Sequence, residues 1–260
     1  MKNKKNIFLI VLSLALMTLT GCASKKKYNY YQNIEQIVNS VNNQTFQTYI
    51  QSDDLLMINV MGIDPKITDP FNQTSNGFIS TYQVGNTAIP INSYLVDASG
   101  NISFPMVGQI KMAGLSRDEA LLKLKKELQK YIKEPEVNLR ILNYKISVQG
   151  EVNRPGVFPI SSERITLPEA ISLAGDLTGY GKRENILIIR DNGNGKKEMT
   201  RVDITQADFF NSPYYYLSQN DVIYVEPNRT KINASAVGPN TSIILSAISL
   251  LLTVVALTLR

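Results

Sequence analysis

Residues Thr241 to Leu259 run nineteen positions without a charge, and Arg260 follows them. At about 1.5 Å of rise per residue, such a run forms a helix roughly 28 Å long, close to the hydrocarbon thickness of a bilayer. The expectation is a C-terminal helix that crosses a membrane, with the rest of the chain folded outside the lipid. Steps of about 100° per residue put Ser242, Ser246, Ser249, Thr253, Ala256 and Arg260 within an arc of roughly 80°. Ile244, Ile248, Leu251, Leu252, Val255 and Leu259 fall outside that arc.

Three readings of the stripe stand side by side. Its hydroxyls can bond the carbonyls of their own helix. Small residues can form a seam along which helices approach closely. Or the stripe faces water inside a ring of helices, which requires an oligomer because a lone helix encloses nothing.

The other end carries a second apolar run. Lys2, Lys4 and Lys5 precede Ile7–Leu19, thirteen residues, too short to span comfortably. Leu19-Thr20-Gly21-Cys22 follows. This is the layout of a secretory signal, and it resembles the lipobox of bacterial lipoproteins, in which the cysteine is acylated. Cys22 is the only cysteine in the chain. The segments expected are a signal peptide over 1–21 and a polar tether over 22–45. Formal net charge falls from +5 to +2 once the three signal lysines are removed, so the basicity gives no argument for nucleic-acid binding. Lys25, Lys26 and Lys27 lie just past the cysteine, where headgroup contact is expected. Ala23, in place of an aspartate, suggests outer-membrane sorting.

Composition excludes much chemistry. There is no histidine, so zinc sites built on His and Cys, and Ser-His or Cys-His catalytic pairs, have no residues to build them. No metal site and no cofactor is expected. Gly193-Asn194-Gly195-Lys196 is a faint echo of a phosphate loop, but it separates two strand-like runs and fits a hairpin turn better. Paired acids remain for hydrolase or lyase chemistry. The candidates are Asp53/Asp54 and Asp118/Glu119, the latter better suited to capping a helix.

Between the ends the pattern is α+β. Leu56, Ile58 and Val60 alternate with Met57 and Asn59, which predicts a strand. Residues 65–92 read as loop, rich in Pro, Gly, Asn and Thr. Gly108 and Gly114 punctuate a pair of short strands. Ser116 and Glu119 form a capping box that opens a helix to about Tyr131, with Leu121, Leu124, Leu128 and Tyr131/Ile132 on one stripe. Pro135 ends that helix before a strand. A second block repeats the design. Gly150 closes a strand, and Asn153-Arg154-Pro155-Gly156 suits a type II turn with Gly156 supplying φ > 0. Thr166 and Glu169 form another capping box, and Gly175 fits the C-terminal cap. Tyr28, Tyr30, Tyr31 and Tyr214 to Tyr216 are candidates for stacking on sugars, although packing is the commoner use of such rings.

These blocks resemble the bacterial outer-membrane polysaccharide export family. The stretch "DASGNISFPMVGQIKMAGLSRDEALLKLKKELQKYIKEPEVNLRI" is similar to its polysaccharide export domain, expected over 46–143. The stretches "ISVQGEVNRPGVFPI", "TLPEAISLAGDLTGYGKRENILIIR" and "NDVIYVEP" are similar to its β-grasp (SLBB) module, expected once, over 144–228. Residues 229–260 complete the chain as linker and C-terminal helix. One departure is Asp53, where the family usually has glycine before its aspartate, here Asp54. The resemblance implies a non-enzymatic lipoprotein, lipidated at Cys22, that assembles as a homo-oligomeric ring. C-terminal helices would form an α-helical barrel through the outer membrane, with the stripe from Ser242 to Arg260 facing the pore. Capsular polysaccharide or exopolysaccharide would be the cargo and membrane lipid the anchor. An inner-membrane polysaccharide co-polymerase, often a tyrosine kinase, would be the partner. The alternative is a periplasmic ligand-binding or scaffolding lipoprotein whose tail is a simple anchor.

Overall fold

A computed structural model describes residues 28–37, 47–72, 78–84, 87–191, 196–236 and 240–258. Two hydrophobic cores divide the middle of the chain. One draws on residues from Ile50 to Leu139, the other on residues from Tyr144 to Val225.

The first lobe is an antiparallel sheet with a helix against it. Strands β1 (Leu55–Met61), β2 (Phe78–Val84), β3 (Thr87–Leu95) and β6 (Glu136–Ile141) pair in the order β2-β3-β1-β6. A separate hairpin joins β4 (Asn101–Phe104) to β5 (Gly108–Lys111), with Gly108 opposite Phe104. The alternation expected in β1 holds: Leu56, Ile58 and Val60 are buried between more exposed neighbours. Helix α3 (Arg117–Leu128) opens on the Ser116/Glu119 capping box, present in both directions. It buries Ala120, Leu124 and Leu128 completely, each worth on the order of 1.5–3 kcal/mol for the larger side chains. Gln129 caps it, earlier than Tyr131. Ile132 is buried beyond the cap, whereas Tyr131 is half exposed and Leu121 only partly buried. Pro135, buried, leads into β6. Gly114 sits at φ 85°, its N–H donating to Ile50 at 2.8 Å.

The described residues of 65–92 are not loop as expected. They form α2 (Pro65–Asn72) and the β2–β3 arm. Pro65 at the helix start has no N–H to leave unpaired. The Asn72 side chain then acts as a substitute strand, accepting from the Val60 N–H at 2.9 Å and donating to its carbonyl at 2.8 Å. Pro90 lies inside β3, paired with Thr81, and a proline there argues against a strand in the bare sequence.

The second lobe has a five-stranded sheet in the order β11-β10-β13-β7-β8. Its strands are β7 (Lys145–Gly150), β8 (Gly156–Pro159), β10 (Gly181–Asp191), β11 (Lys197–Val202) and β13 (Val222–Pro227). Only β13 and β7 run parallel. A two-residue ribbon pairs β9 (Ile165–Thr166) with β12 (Tyr216–Leu217). Helix α4 (Leu167–Leu173) carries the Thr166/Glu169 capping box and is followed by Gly175 at φ 75°. The 193–196 turn lies outside the described residues, but β10 and β11 on its flanks pair antiparallel, as a hairpin requires. The type II expectation at Pro155-Gly156 fails: Gly156 lacks a positive φ and instead begins β8. The glycine that needs its freedom is Gly150, at φ 89°, where a Cβ would lie 2.0 Å from the Val225 carbonyl oxygen.

After β13 come α5 (Arg229–Ala236) and α6 (Asn240–Thr258). Among the described residues no helix is long and apolar enough to cross a membrane. This overturns the expected transmembrane helix and, with it, the α-helical barrel. The physical reason is the helix start. Asn240, Thr241 and Ser242 are polar, which leaves Ile243–Leu257 as the apolar part, roughly 22 Å of rise against a hydrocarbon core of about 30 Å.

Candidate functional site

Two residues expected at functional positions, Cys22 and Arg260, lie outside the described residues. Of the stripe, Ser242, Ser246, Ser249, Thr253 and Ala256 all fall within α6. The Ser249 hydroxyl donates to the Ser246 carbonyl and that of Thr253 to the Ser249 carbonyl, both at 2.8 Å. These two hydroxyls are bonded within their own helix. Ile243, Leu250 and Leu251 on the same helix are about two-thirds exposed.

The seam between the lobes is built on a buried acid. Asp53 stands at φ 69°, the left-handed backbone that glycine adopts freely and that aspartate tolerates better than most residues. The turn therefore keeps a form suited to glycine, although the residue is not glycine. It aims Asp54 inward, 1% exposed. Its carboxylate accepts from the Gln51 N–H at 2.8 Å and from Gln219 Nε2, in the second lobe, at 2.9 Å. Asn143, between the lobes, accepts from the Leu55 N–H at 2.9 Å and donates to the Asp53 carbonyl at 2.8 Å. Burial pushes the Asp54 carboxyl up to about 6, against the hydrogen bonds from Gln51 and Gln219 that pull it down. Gln219 Oε1 is buried without a partner.

Beside this seam a cleft of about 290 Å³ opens between the lobes. The first turn of α3 and the end of β6 supply Arg117 and Arg140; the loop before β9 supplies Ser161, Ser162, Glu163 and Arg164. Arg117 holds the carbonyl of Leu139 through Nε at 3.1 Å and faces Glu163 at 3.4 Å and Asp118 at 3.8 Å. Arg140 donates to the Ser161 carbonyl at 3.0 Å, and the Arg164 guanidinium lies 5.4 Å from the centre of the Tyr216 ring. Of the acids weighed for hydrolysis, Glu119 is engaged in its cap and Asp54 in the seam, and Asp118 lines the cleft beside Arg117.

Residues 28–37, within the stretch expected as a polar tether, dock on the second lobe. The Gln32 N–H donates to the Thr205 carbonyl at 2.8 Å, and Asn33 bonds Asp208 at 2.9 Å. Tyr28 and Tyr30 flank the Arg183 guanidinium at 4.3 and 5.3 Å, and the Tyr30 hydroxyl donates to Asp176 at 2.5 Å. Burial, then that hydrogen bond, raises the Tyr30 phenol. Arg183 is 3% exposed and its Nε has no partner. A short helix, α1 (Ile34–Ile37), ends this strap. The chain leaves the lobe close to where it entered. A Cβ on Gly179 would lie 3.4 Å from the Tyr28 hydroxyl, and the Asn228 N–H donates to the Tyr180 carbonyl at 2.7 Å.

The remaining candidate tyrosines are packed. Tyr214 is buried and donates to Glu198. Tyr215 lies 5.6 Å from Phe210 and 4.9 Å from Tyr216, and Phe210 lies 5.0 Å from Tyr31. The seam and the strap were not foreseen from sequence. Their only signals were two adjacent acids and a tyrosine-rich polar stretch.

Residues 42–142 match the polysaccharide biosynthesis/export protein family, and residues 144–225 match the SLBB domain. The chain is 30% identical over 203 residues to the EPS I polysaccharide export outer membrane protein EpsA of Ralstonia solanacearum, covering 74% of this chain and 52% of that protein. It is 28% identical over 201 residues to the protein of the same name from Ralstonia nicotianae (strain ATCC BAA-1114 / GMI1000), covering 74% and 51%. The chain spans about half the length of the curated relatives it matches.

Proposed function

Because the chain belongs to the polysaccharide biosynthesis/export family, we propose that it is an outer-membrane protein that passes a capsular polysaccharide or exopolysaccharide from periplasm to cell surface. The family is one of export proteins rather than enzymes. The observation that carries the reading is order: an export domain at 42–142 is followed directly by an SLBB domain at 144–225, and the likeness to the Ralstonia proteins runs over 74% of the chain. In this reading Cys22 carries lipid, the two lobes stand in the periplasm as part of a homo-oligomeric ring, and an inner-membrane polysaccharide co-polymerase delivers the cargo. The exposed apolar residues of α6 support a contact with lipid or with another copy at that end of the chain.

The test is genetic and biochemical. A deletion strain of the source bacterium is expected to lose surface polysaccharide and retain it within the envelope, with export restored by the full chain. Unchanged surface polysaccharide would sink the proposal. Native mass spectrometry from mild detergent is expected to show one discrete oligomer, and a monomer under all conditions would remove the ring.

A further inference from the structure

We propose that the cleft between the lobes is a weak binding site for a carboxylate-bearing sugar of the exported chain, a reading that rests on the export function above. The argument begins with charge. Three arginines and two acids line the cleft. Both acids sit against one of those arginines, Glu163 at 3.4 Å and Asp118 at 3.8 Å from Arg117. Arg140 and Arg164 are left with no carboxylate partner among the described residues. The cleft thus keeps two uncompensated guanidinium groups, whose planar forks match a carboxylate.

Both groups are held in place without being used up. Arg140 gives one nitrogen to the Ser161 carbonyl at 3.0 Å, and a guanidinium has five N–H donors in all. Arg164 lies over the Tyr216 ring at 5.4 Å, a cation–π contact that pairs its charge with no carboxylate. The volume, about 290 Å³, is at the small end of ligand sites and suits a single sugar ring rather than a long segment. Thr48 and Ser161, which also line the cleft, add polar groups for sugar hydroxyls.

Exposure decides the strength. Arg140 and Arg164 are both exposed, so their attraction for an anion is screened and small. A conduit needs this, since a tightly held chain would stop moving. The site would hold an acidic residue briefly and release it.

The experiment is saturation-transfer difference NMR on the full chain in detergent, with tetragalacturonate as the acidic probe and maltotetraose as the neutral one. The expected result is saturable, millimolar binding of tetragalacturonate that weakens with added salt, and none of maltotetraose. The Arg140→Gln/Arg164→Gln double variant should weaken binding by at least about fivefold. Lys66→Gln/Lys133→Gln, with the same change in charge at other exposed positions, should leave it unchanged. Absence of tetragalacturonate binding, equal binding by the arginine variant, or equal losses in both variants would overturn the proposal. The deletion strain separates the two readings: unchanged surface polysaccharide refutes export whatever the cleft binds, whereas lost export with no probe binding refutes the cleft alone.

Discussion

The Gln219 side chain reaches across the seam to donate to the Asp54 carboxylate at 2.9 Å, joining residues 165 positions apart in two different lobes. Both are almost completely buried. This contact between the lobes therefore keeps an ionisable group out of water, with consequences for pH.

Burial raises the Asp54 carboxyl from 3.8 to about 6. An acid whose folded value exceeds its unfolded one binds protons more tightly when folded, so its contribution is full below about 3.8 and falls as pH rises through about 6. Asp54→Asn removes this titration. Wild-type stability relative to the variant is expected to fall by on the order of 3 kcal/mol between pH 3.5 and 7.5. Paired urea denaturation curves across that range check it, and a constant difference would refute it.

Gly150 holds the parallel β7–β13 pair. With φ at 89° and a virtual Cβ 2.0 Å from the Val225 carbonyl oxygen, Gly150→Ala must displace backbone, not a yielding side chain. The expected loss is about 3 kcal/mol or more, read as a lower midpoint in chemical denaturation.

Arg190 and Asp221 form an ion pair at 2.7 Å, with the Asp221 side chain fully buried. Burial pushes the Asp221 carboxyl up and the arginine opposes it. Arg190→Met leaves the acid buried without its partner and is expected to cost about 3–5 kcal/mol at neutral pH. Asp221→Asn in the Arg190→Met background should recover part of that loss, and thermal unfolding of the three variants measures it.

The strap predicts a local effect. Tyr30→Phe deletes the hydroxyl that bonds Asp176 at 2.5 Å, worth roughly 1–2 kcal/mol. Faster hydrogen exchange at Gln32, whose N–H donates to Thr205, is the expected outcome, with exchange in α3 unchanged.

What was legible in the sequence was local. The alternation of β1 and both capping boxes depend on neighbours within a few positions, and all three stand as read. The Pro155-Gly156 pair misled because a turn dipeptide says nothing of the partner strand, and Gly156 pairs with Val148 in β8. The 65–92 segment misled because a side chain, Asn72, completes the backbone bonding of Val60. The seam and the strap join positions more than 140 residues apart, beyond any periodicity. In the tail, a run without charge set the expectation of a spanning helix, and absence of charge does not measure apolar length.

The chain enters the second lobe at Tyr28 and leaves it at Asn228, with both positions beside the 179–180 turn. The first lobe is an excursion between the strap and β7, returning to the lobe from which it left. Tension applied between Tyr28 and Asn228 would therefore run through the second lobe alone. The first lobe stands outside that line of force, and a load that strains its neighbour leaves its own sheet and helix unstressed.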